Sequence, residues 1–247
     1  MAKKEKDTEQ TKEKNEIAVI DSSVFSLESI SQGIADLQDN LDQIQIILPQ
    51  IKIIHQGQIF EMPDGSKKEF FGGAIIDFNR VNAYWPKPLG KDDSPTGDPP
   101  TCFSMDSLRP SPLSASIESD LCISCPMNIP GSDPKGGRGR ACKNKMRVHI
   151  ITQKSQLLPY RLMLSGANLQ PFSRAISNVA AQGKSWRGYW YKFMLAKAKG
   201  GGGQEYSEIV ILPESLLPDG QVAISKKLSE GMISILRDTA SMAVDVE

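Results

Sequence analysis

The sequence has no acidic residue between Pro134 and Gln204, a stretch of 71 residues. The same stretch contains 14 of the 29 basic residues, so the rest of the chain holds 15 basic residues and all 29 acidic ones. The net charge of zero therefore hides a basic segment and an acidic remainder. Such a division indicates a polyanion-binding half, and the alternative is that acids from elsewhere in the chain neutralise it.

Long hydrophobic runs are also missing. No apolar run approaches the roughly 18 residues that a membrane-spanning helix needs, and the N-terminus, MAKKEKDTEQTKEKNE, lacks the apolar core of a secretory signal. We predict a disordered tail over residues 1–17 and a cytoplasmic protein. In a reducing cytoplasm, clustered cysteines are more often metal ligands than disulfides.

Groups suited to catalysis are few. There are two histidines, His55 and His149, and the basic segment contains no carboxylate. An enzyme that uses a metal or acid–base pair would need carboxylates from the preceding strand and loops. These are Asp77, Asp92, Asp93, Asp98 and Asp106. The glycine-rich run KGGRGRA lacks the GxxxxGK[ST] pattern of a phosphate-binding loop. We therefore expect a binding protein and not an enzyme.

The four cysteines fall in one region with the spacing C-x19-C-x2-C-x16-C: Cys102, Cys122, Cys125 and Cys142. Tetrahedral zinc takes four thiolates at about 2.3 Å, and a C-x2-C turn supplies two of them. We predict a structural Zn²⁺ site with no open position for water, held by an insertion over residues 101–147. Four buried or free thiols, or a redox-active C-x2-C pair, are the alternatives.

Cations near Cys142 and a later aromatic stretch are the predicted nucleic-acid contacts. In KSWRGYWYKFMLAKAK, five aromatic residues interleave with cations, a pairing that lets rings stack on bases while cations follow phosphates. Strand alternation puts Trp186, Trp190 and Lys192 on one face, which we expect to be exposed. One or two of the cations near Cys142 would only balance the −2 charge of a four-thiolate zinc centre. The predicted contacts are Arg138, Arg140, Lys143, Lys145, Arg147, Lys184, Trp186, Arg187, Trp190 and Lys192.

Hydrophobic periodicity predicts a mainly β protein with helices (α+β). Helical spacing begins at Leu27. The isoleucine-rich residues 44–62 and residues 69–85 are typical of strands joined by the turn Pro63-Asp64-Gly65. Gly72-Gly73 indicates a bulge or bend. Residues 168–182 fit a helix, and residues 184–212 fit a β-hairpin.

We expect one domain over 18–247: an OB-like antiparallel barrel, about 44–212, with the inserted zinc-binding loop region and flanking helices, including a C-terminal helix at 222–242.

The segment CISCPMNIPGSDPKGGRGRACKNKMR, residues 122–147, resembles a pattern in phage and mobile-element proteins: C-x2-C-P, then GS, then G-[KR]-G-[KR]-A-C-K. These proteins belong to phage replication modules and bind single-stranded DNA. The resemblance is looser over residues 70–212, and it implies an OB-like body with a zinc insertion and replication proteins as partners. It does not extend to their strongly acidic tail, because this sequence ends SMAVDVE.

These observations predict a non-enzymatic single-stranded-DNA-binding protein of phage-type replication or recombination, with RNA as an alternative strand and homo-oligomerisation left open. The alternative is a zinc-containing transcription or host-takeover factor that binds duplex DNA or RNA polymerase. A basic recognition helix would favour this alternative, but the helix predicted over 168–182 has a single cation, Arg174.

Overall fold

A computed structural model describes residues 27–39, 46–55, 57–86, 99–155, 157–200, 203 and 205–237. The fold is mixed α+β, with a strongly curled, half-barrel sheet of nine strands in which antiparallel pairing dominates. The strands are β1 Gln50–Ile54, β2 Ile59–Glu61, β3 Lys67–Lys68, β4 Phe70–Tyr84, β5 Cys102–Ser104, β6 Lys143–Ile151, β7 Tyr160–Ser165, β8 Tyr189–Lys199 and β9 Glu205–Leu216. The helices are α1 Leu27–Gln38, α2 Leu169–Ala181, α3 Asp219–Gly231 and α4 Ile233–Leu236. The predicted tail, 1–17, lies outside the described ranges.

The strands are ordered β3-β2-β1-β7-β6-β4-β8-β9, and β5 also pairs with β4. The pair β1–β7 is parallel, and the other pairs are antiparallel. Among the strands that the structure describes, β3 and β9 end the order and do not pair with each other. Hydrogen bonding therefore leaves a half-barrel, and the closed OB-like barrel stays a prediction.

The 15-residue strand β4 pairs with three other strands. Its first residues pair with β8, most of its length pairs with β6, and its last three residues pair with β5. The bulge lies between Ile75 and Asp77, not at Gly72-Gly73. Gly72 serves a different purpose, because a Cβ there would collide with the indole nitrogen of Trp190.

Apolar side chains cover both faces of the sheet. On one face, the rings of Phe71 and Phe193 stack with centroids 4.7 Å apart, and α2 adds Phe172 to the same cluster. On the other face, Ile76 and Ile151 pack against α1, α3 and α4. The sheet is therefore a middle layer over much of its area, and a strand residue can be buried whichever way it points.

A polar layer is buried within the face that carries Ile76 and Ile151. His149, in β6, is paired with Asp77 on one side and with Arg161 on the other, and all three residues are at most 5% exposed. Within the described ranges, neither ring nitrogen of His149 has a hydrogen-bond partner. Burial, followed by the charges of neighbouring arginines, lowers the pKa of His149 to about 3.

Several sequence-based boundaries are corrected. Residues 44, 45 and 56 of the strand predicted over 44–62 lie outside the described ranges. The described part forms a hairpin of β1 and β2, and Gly57 and Gln58, before β2, adopt positive φ. The cysteine-containing insertion ends at Cys142, since the next residues already belong to β6. The predicted C-terminal helix starts earlier, at Asp219, and it is interrupted at Met232 before α4. Residues 238–242 of that prediction lie outside the described ranges. In the described part of the chain, no helix is long and apolar enough to cross a membrane.

Candidate metal centre and nucleic-acid interface

The end of β4 fixes two of the four cysteines. Cys102 begins β5 and is paired directly with Tyr84. On the other side of β4, Lys143 is paired with Ala83, so Cys142 lies one residue beyond, at the same end of the strand. Two cysteines separated by 39 residues are thus placed beside the same two residues of β4.

The other two cysteines lie on a compact turn that ends in a single 3-10 turn, Pro126–Asn128. The amide N–H of Asn128 donates to the carbonyl of Cys125 at 2.9 Å, and its side-chain Nδ2 donates to the carbonyl of Cys122 at 2.7 Å. The amide of Cys142 donates to the carbonyl of Met127 at 2.7 Å. These hydrogen bonds therefore shape the C-x2-C turn and hold it against Cys142.

All four cysteines line one small cavity of about 20 Å³, together with Asn82, Tyr84 and Ser104. Burial raises the pKa of Cys142 to about 12, and the neighbouring thiols of Cys125, Cys122 and Cys102 raise it as well. Burial also raises the pKa of Cys122, which the side chains of Ser104 and Asn82 partly offset through hydrogen bonds. Such donors stabilise a thiolate, the form in which cysteine binds a metal.

The donor set suits a soft metal ion, because four thiols line the cavity and outnumber its one carboxylate, Glu118. The structure thus places Cys102, Cys122, Cys125 and Cys142 around one cavity, and none of the four forms a disulfide. As they stand, however, no three His, Cys, Asp or Glu side chains in the described ranges could hold a metal ion. Ligation therefore requires the thiols to adopt a closer arrangement than the one described.

A groove of about 1090 Å³ runs beside this cysteine module, which we define as residues 101–142. Four of the predicted nucleic-acid contacts line the groove, and β4 adds a fifth cation that the sequence did not indicate. These cations are Arg80, Arg138, Arg140, Lys143 and Lys145. The groove thus collects cations from the strands and from the glycine-rich loop.

Two carboxylates also line the groove, and both already have partners. Asp133 forms an ion pair with Lys143 at 2.6 Å, which lowers the pKa of Asp133. Asp106 accepts hydrogen bonds from the amides of Leu108 and Arg109 and from the hydroxyl of Ser104. The carboxylates organise the loops of the groove, and the cations outnumber them.

Arg147 does not belong to this surface. Its side chain is fully buried, in the polar layer around His149, so the prediction that it contacts a ligand at the surface is wrong. The reason is the position along β6: Lys143, Arg147 and His149 point to the same face, but the helices cover only the later part of it. Arg147 and His149 are therefore buried, whereas Lys143, at the start of the strand, is exposed.

The predicted exposure of Trp190 on the hairpin is also wrong. Trp190 is 4% exposed, because Leu217 and the α3 residue Val222 pack over it. Trp186 lies in a single 3-10 turn ahead of β8, so strand alternation does not apply to it. Its half-buried ring lies against Phe78, and the guanidinium of Arg187 lies 4.1 Å from the ring centroid. Trp190 is therefore closed to a base, and Trp186 is only partly accessible.

The hairpin cations are separated from the groove residues. Arg187 is half-buried, and its Nε donates to the carbonyl of Ile76 at 3.2 Å. Lys184 is exposed, with its ammonium 5.7 Å from the ring centroid of Tyr189. Lys192 is half-buried and lies 4.3 Å from the ring centroid of Phe70, in a separate cleft of about 270 Å³. The structure therefore joins the cations near Cys142 with Arg80, but it does not join them with the hairpin set.

Comparison of this chain with protein families, with curated proteins and with solved structures found no match.

Proposed function

We propose that this protein binds single-stranded DNA without catalysing a reaction, in phage-type replication or recombination. The observation that carries the proposal is the groove in which Arg80, Arg138, Arg140, Lys143 and Lys145 meet. Lysine and arginine side chains in such a groove neutralise phosphates and release counterions, which gives sequence-independent affinity that falls with salt. Single-stranded RNA has the same backbone charge and is the alternative strand.

We further propose that Zn²⁺ stabilises the cysteine module, with Cys102, Cys122, Cys125 and Cys142 as its ligands. Support comes from the convergence of the four thiols on one cavity and from the hydrogen-bond donors beside Cys122. A four-thiolate site is closed to water, so the metal would be structural. Its contribution would be to hold the loop that carries Arg138 and Arg140 beside β4 and β6.

A single strand suits the groove better than a duplex. Duplex readers usually place a recognition helix in the major groove. The helix of the basic segment, α2, has one cation, Arg174, and its residues Phe172 and Val179 are used for packing on the sheet. The resemblance of residues 122–147 to proteins of phage replication modules supports the same choice.

The test is a salt-titrated binding assay of the full zinc-supplemented chain with fluorescent poly-dT, matched duplex DNA and RNA. The informative variant is Arg138→Gln/Arg140→Gln, and the matched control is Lys226→Gln/Lys227→Gln, which removes two exposed cations from α3. The slope of log K against log salt is negative, and each lost phosphate contact reduces its magnitude by about 0.7 for a single strand. We expect the groove variant to reduce the magnitude of this slope by about 1.4 and the control to leave the slope unchanged.

Tight binding to duplex DNA with no preference for poly-dT would overturn the single-strand proposal and favour the duplex-binding alternative. Equal slopes for wild type and the groove variant would show that phosphates bind elsewhere, and the hairpin cations Lys184 and Lys192 would be the next to substitute.

A further inference from the structure

Exposed aliphatic side chains are concentrated on the cysteine module. Six large hydrophobic residues between positions 108 and 129 are more than 40% exposed: Leu108, Leu113, Ile117, Leu121, Ile123 and Ile129. The most exposed is Ile123, at 87%, although it lies between two buried cysteines. Large exposed apolar patches usually mark interaction sites.

Three of these residues line the basic groove: Leu108, Leu121 and Ile123. We call them the aliphatic ridge. They come from two separate loops, which a backbone hydrogen bond joins, since the amide of Cys122 donates to the carbonyl of Leu108 at 2.9 Å. The bond places the flanking residues of Cys122 beside Leu108.

The loop that carries Leu108 is held by its own contacts. Oδ1 of Asp106 accepts from the amide of Leu108 at 2.7 Å. Ser107 adopts φ of 61°, which is uncommon for a residue other than glycine, and its hydroxyl donates to Oδ1 of Asn82 at 2.7 Å. Asn82 also hydrogen-bonds to the thiol of Cys122. The ridge is therefore organised by the residues that surround the cysteine cavity.

We propose that the aliphatic ridge contacts the bases of a single-stranded nucleic acid whose phosphates bind the cations of the same groove. The proposal rests on the proposed function and adds the base-contacting surface to it. Unpaired bases expose flat apolar faces beside a charged backbone, which matches a groove that combines aliphatic side chains with arginines and lysines. In a duplex these faces are stacked and hidden, so the ridge would also select single strands. An acidic amphipathic peptide has a related pattern and is the competing occupant.

The experiment compares Leu121→Ser/Ile123→Ser with Leu113→Ser/Ile117→Ser in the full zinc-supplemented chain. The control variant removes two exposed aliphatic residues of the same module that do not line the groove. Each is titrated over a salt series with fluorescent poly-dT and with an abasic strand of equal length, which keeps the phosphates and lacks bases. Zinc content and the thermal midpoint are measured for all proteins.

We expect the ridge variant to bind poly-dT about tenfold more weakly than wild type with an unchanged salt slope, because apolar contact is lost and phosphate contacts remain. Wild type and the ridge variant should bind the abasic strand equally. The control should match wild type on both strands.

Equal poly-dT affinity for the ridge variant and wild type would overturn this inference, while a reduced slope for Arg138→Gln/Arg140→Gln would leave the proposed function standing. An equal loss on poly-dT and on the abasic strand would also overturn it, because the ridge would then act through the fold or the phosphates. A competition experiment gives a third contrary outcome. The inference would be overturned if an acidic amphipathic peptide displaced poly-dT from wild type, and if the ridge variant failed to bind that peptide but still bound poly-dT.

Discussion

Nδ1 of His149 lies 3.9 Å from Oδ2 of Asp77, and the two groups do not form an ion pair at neutral pH. Burial, followed by the charges of neighbouring arginines, lowers the pKa of the imidazole to about 3, so the ring is neutral. The arginines are Arg147, Arg161 and Arg237. Asp77 instead faces Arg237, with 3.4 Å between Oδ1 and Nη2. The fold therefore keeps an uncharged imidazole beside a carboxylate.

This neutral histidine predicts destabilisation by mild acid. In the unfolded chain its pKa returns to about 6.5, so between pH 6.5 and 3 the unfolded state binds more protons than the folded state. The stability that the neutral His149 ring contributes is fully present above the unfolded-state pKa, and it is lost as the pH falls through this window. From this group alone, we expect the free energy of unfolding to be about 2 kcal/mol lower at pH 5 than at pH 7. Urea unfolding at both pH values measures it.

Histidine variants separate this effect from other titrations. His149→Gln should lose this part of the pH dependence, whereas His55→Gln, at the exposed second histidine, should retain it. A pH dependence in His149→Gln equal to that of wild type would contradict the assignment to the buried ring.

Metal content is the direct test of the cysteine module. We expect purified protein to contain one zinc ion per chain, because a four-thiolate site is complete with one metal. Cys142→Ser should abolish binding and lower the free energy of unfolding by about 3 kcal/mol or more, since metal affinity is linked to folding. The control Ser124→Ala changes an exposed residue within the same C-x2-C turn and should keep the metal. Unchanged zinc content and stability in Cys142→Ser would refute the site.

Close contact between β4 and β8 makes Gly72 intolerant of a side chain. A Cβ at this position would collide with Trp190, so Gly72→Ala should lower the free energy of unfolding by about 1–3 kcal/mol. Gly220→Ala is the control, because this position near the start of α3 has open space around it and alanine favours helix. Chemical denaturation of both variants measures the difference, and equal stability of the two would be inconsistent with this packing.

Because Trp190 is buried, substituting it should change the stability of the fold but not the affinity for nucleic acid. We expect Trp190→Phe to lower the free energy of unfolding by about 1–2 kcal/mol, because part of the space between β8 and α3 would be left unfilled. Its poly-dT affinity should stay within about twofold of wild type. A large loss of affinity at unchanged stability would restore the stacking role that the sequence suggested.

The sequence predicts the elements whose signals are local. The helix over 168–182 is confirmed as α2, because Pro171 lies in its first turn and Gly183, with φ of 70°, lies beyond its end. The hairpin of β8 and β9 is also confirmed. In each case a few residues that are neighbours in the sequence determine the element.

The missed features depend on distant residues. Alternation correctly separates Trp190 from Tyr191, but it does not reveal that α3, about thirty residues later, covers the second face. Arg80 reaches the groove because β4 pairs with β6, which brings it near residues about sixty positions away. The exposed Ile123 had a local signal, an apolar residue between two cysteines, yet only the structure shows that Leu108 lies beside it.

The cysteine module leaves and re-enters the sheet on either side of the end of β4, since β5 and β6 both pair there. Its two ends are therefore about two strand spacings, or roughly 10 Å, apart. A loop with such close ends can be lengthened or exchanged at little entropic cost, about 0.6 kcal/mol for each doubling of its length. The half-barrel can thus serve as a scaffold. Loops with other residues in place of the aliphatic ridge could be grafted between β5 and β6, which would change the ligand that the protein prefers without a change in the sheet.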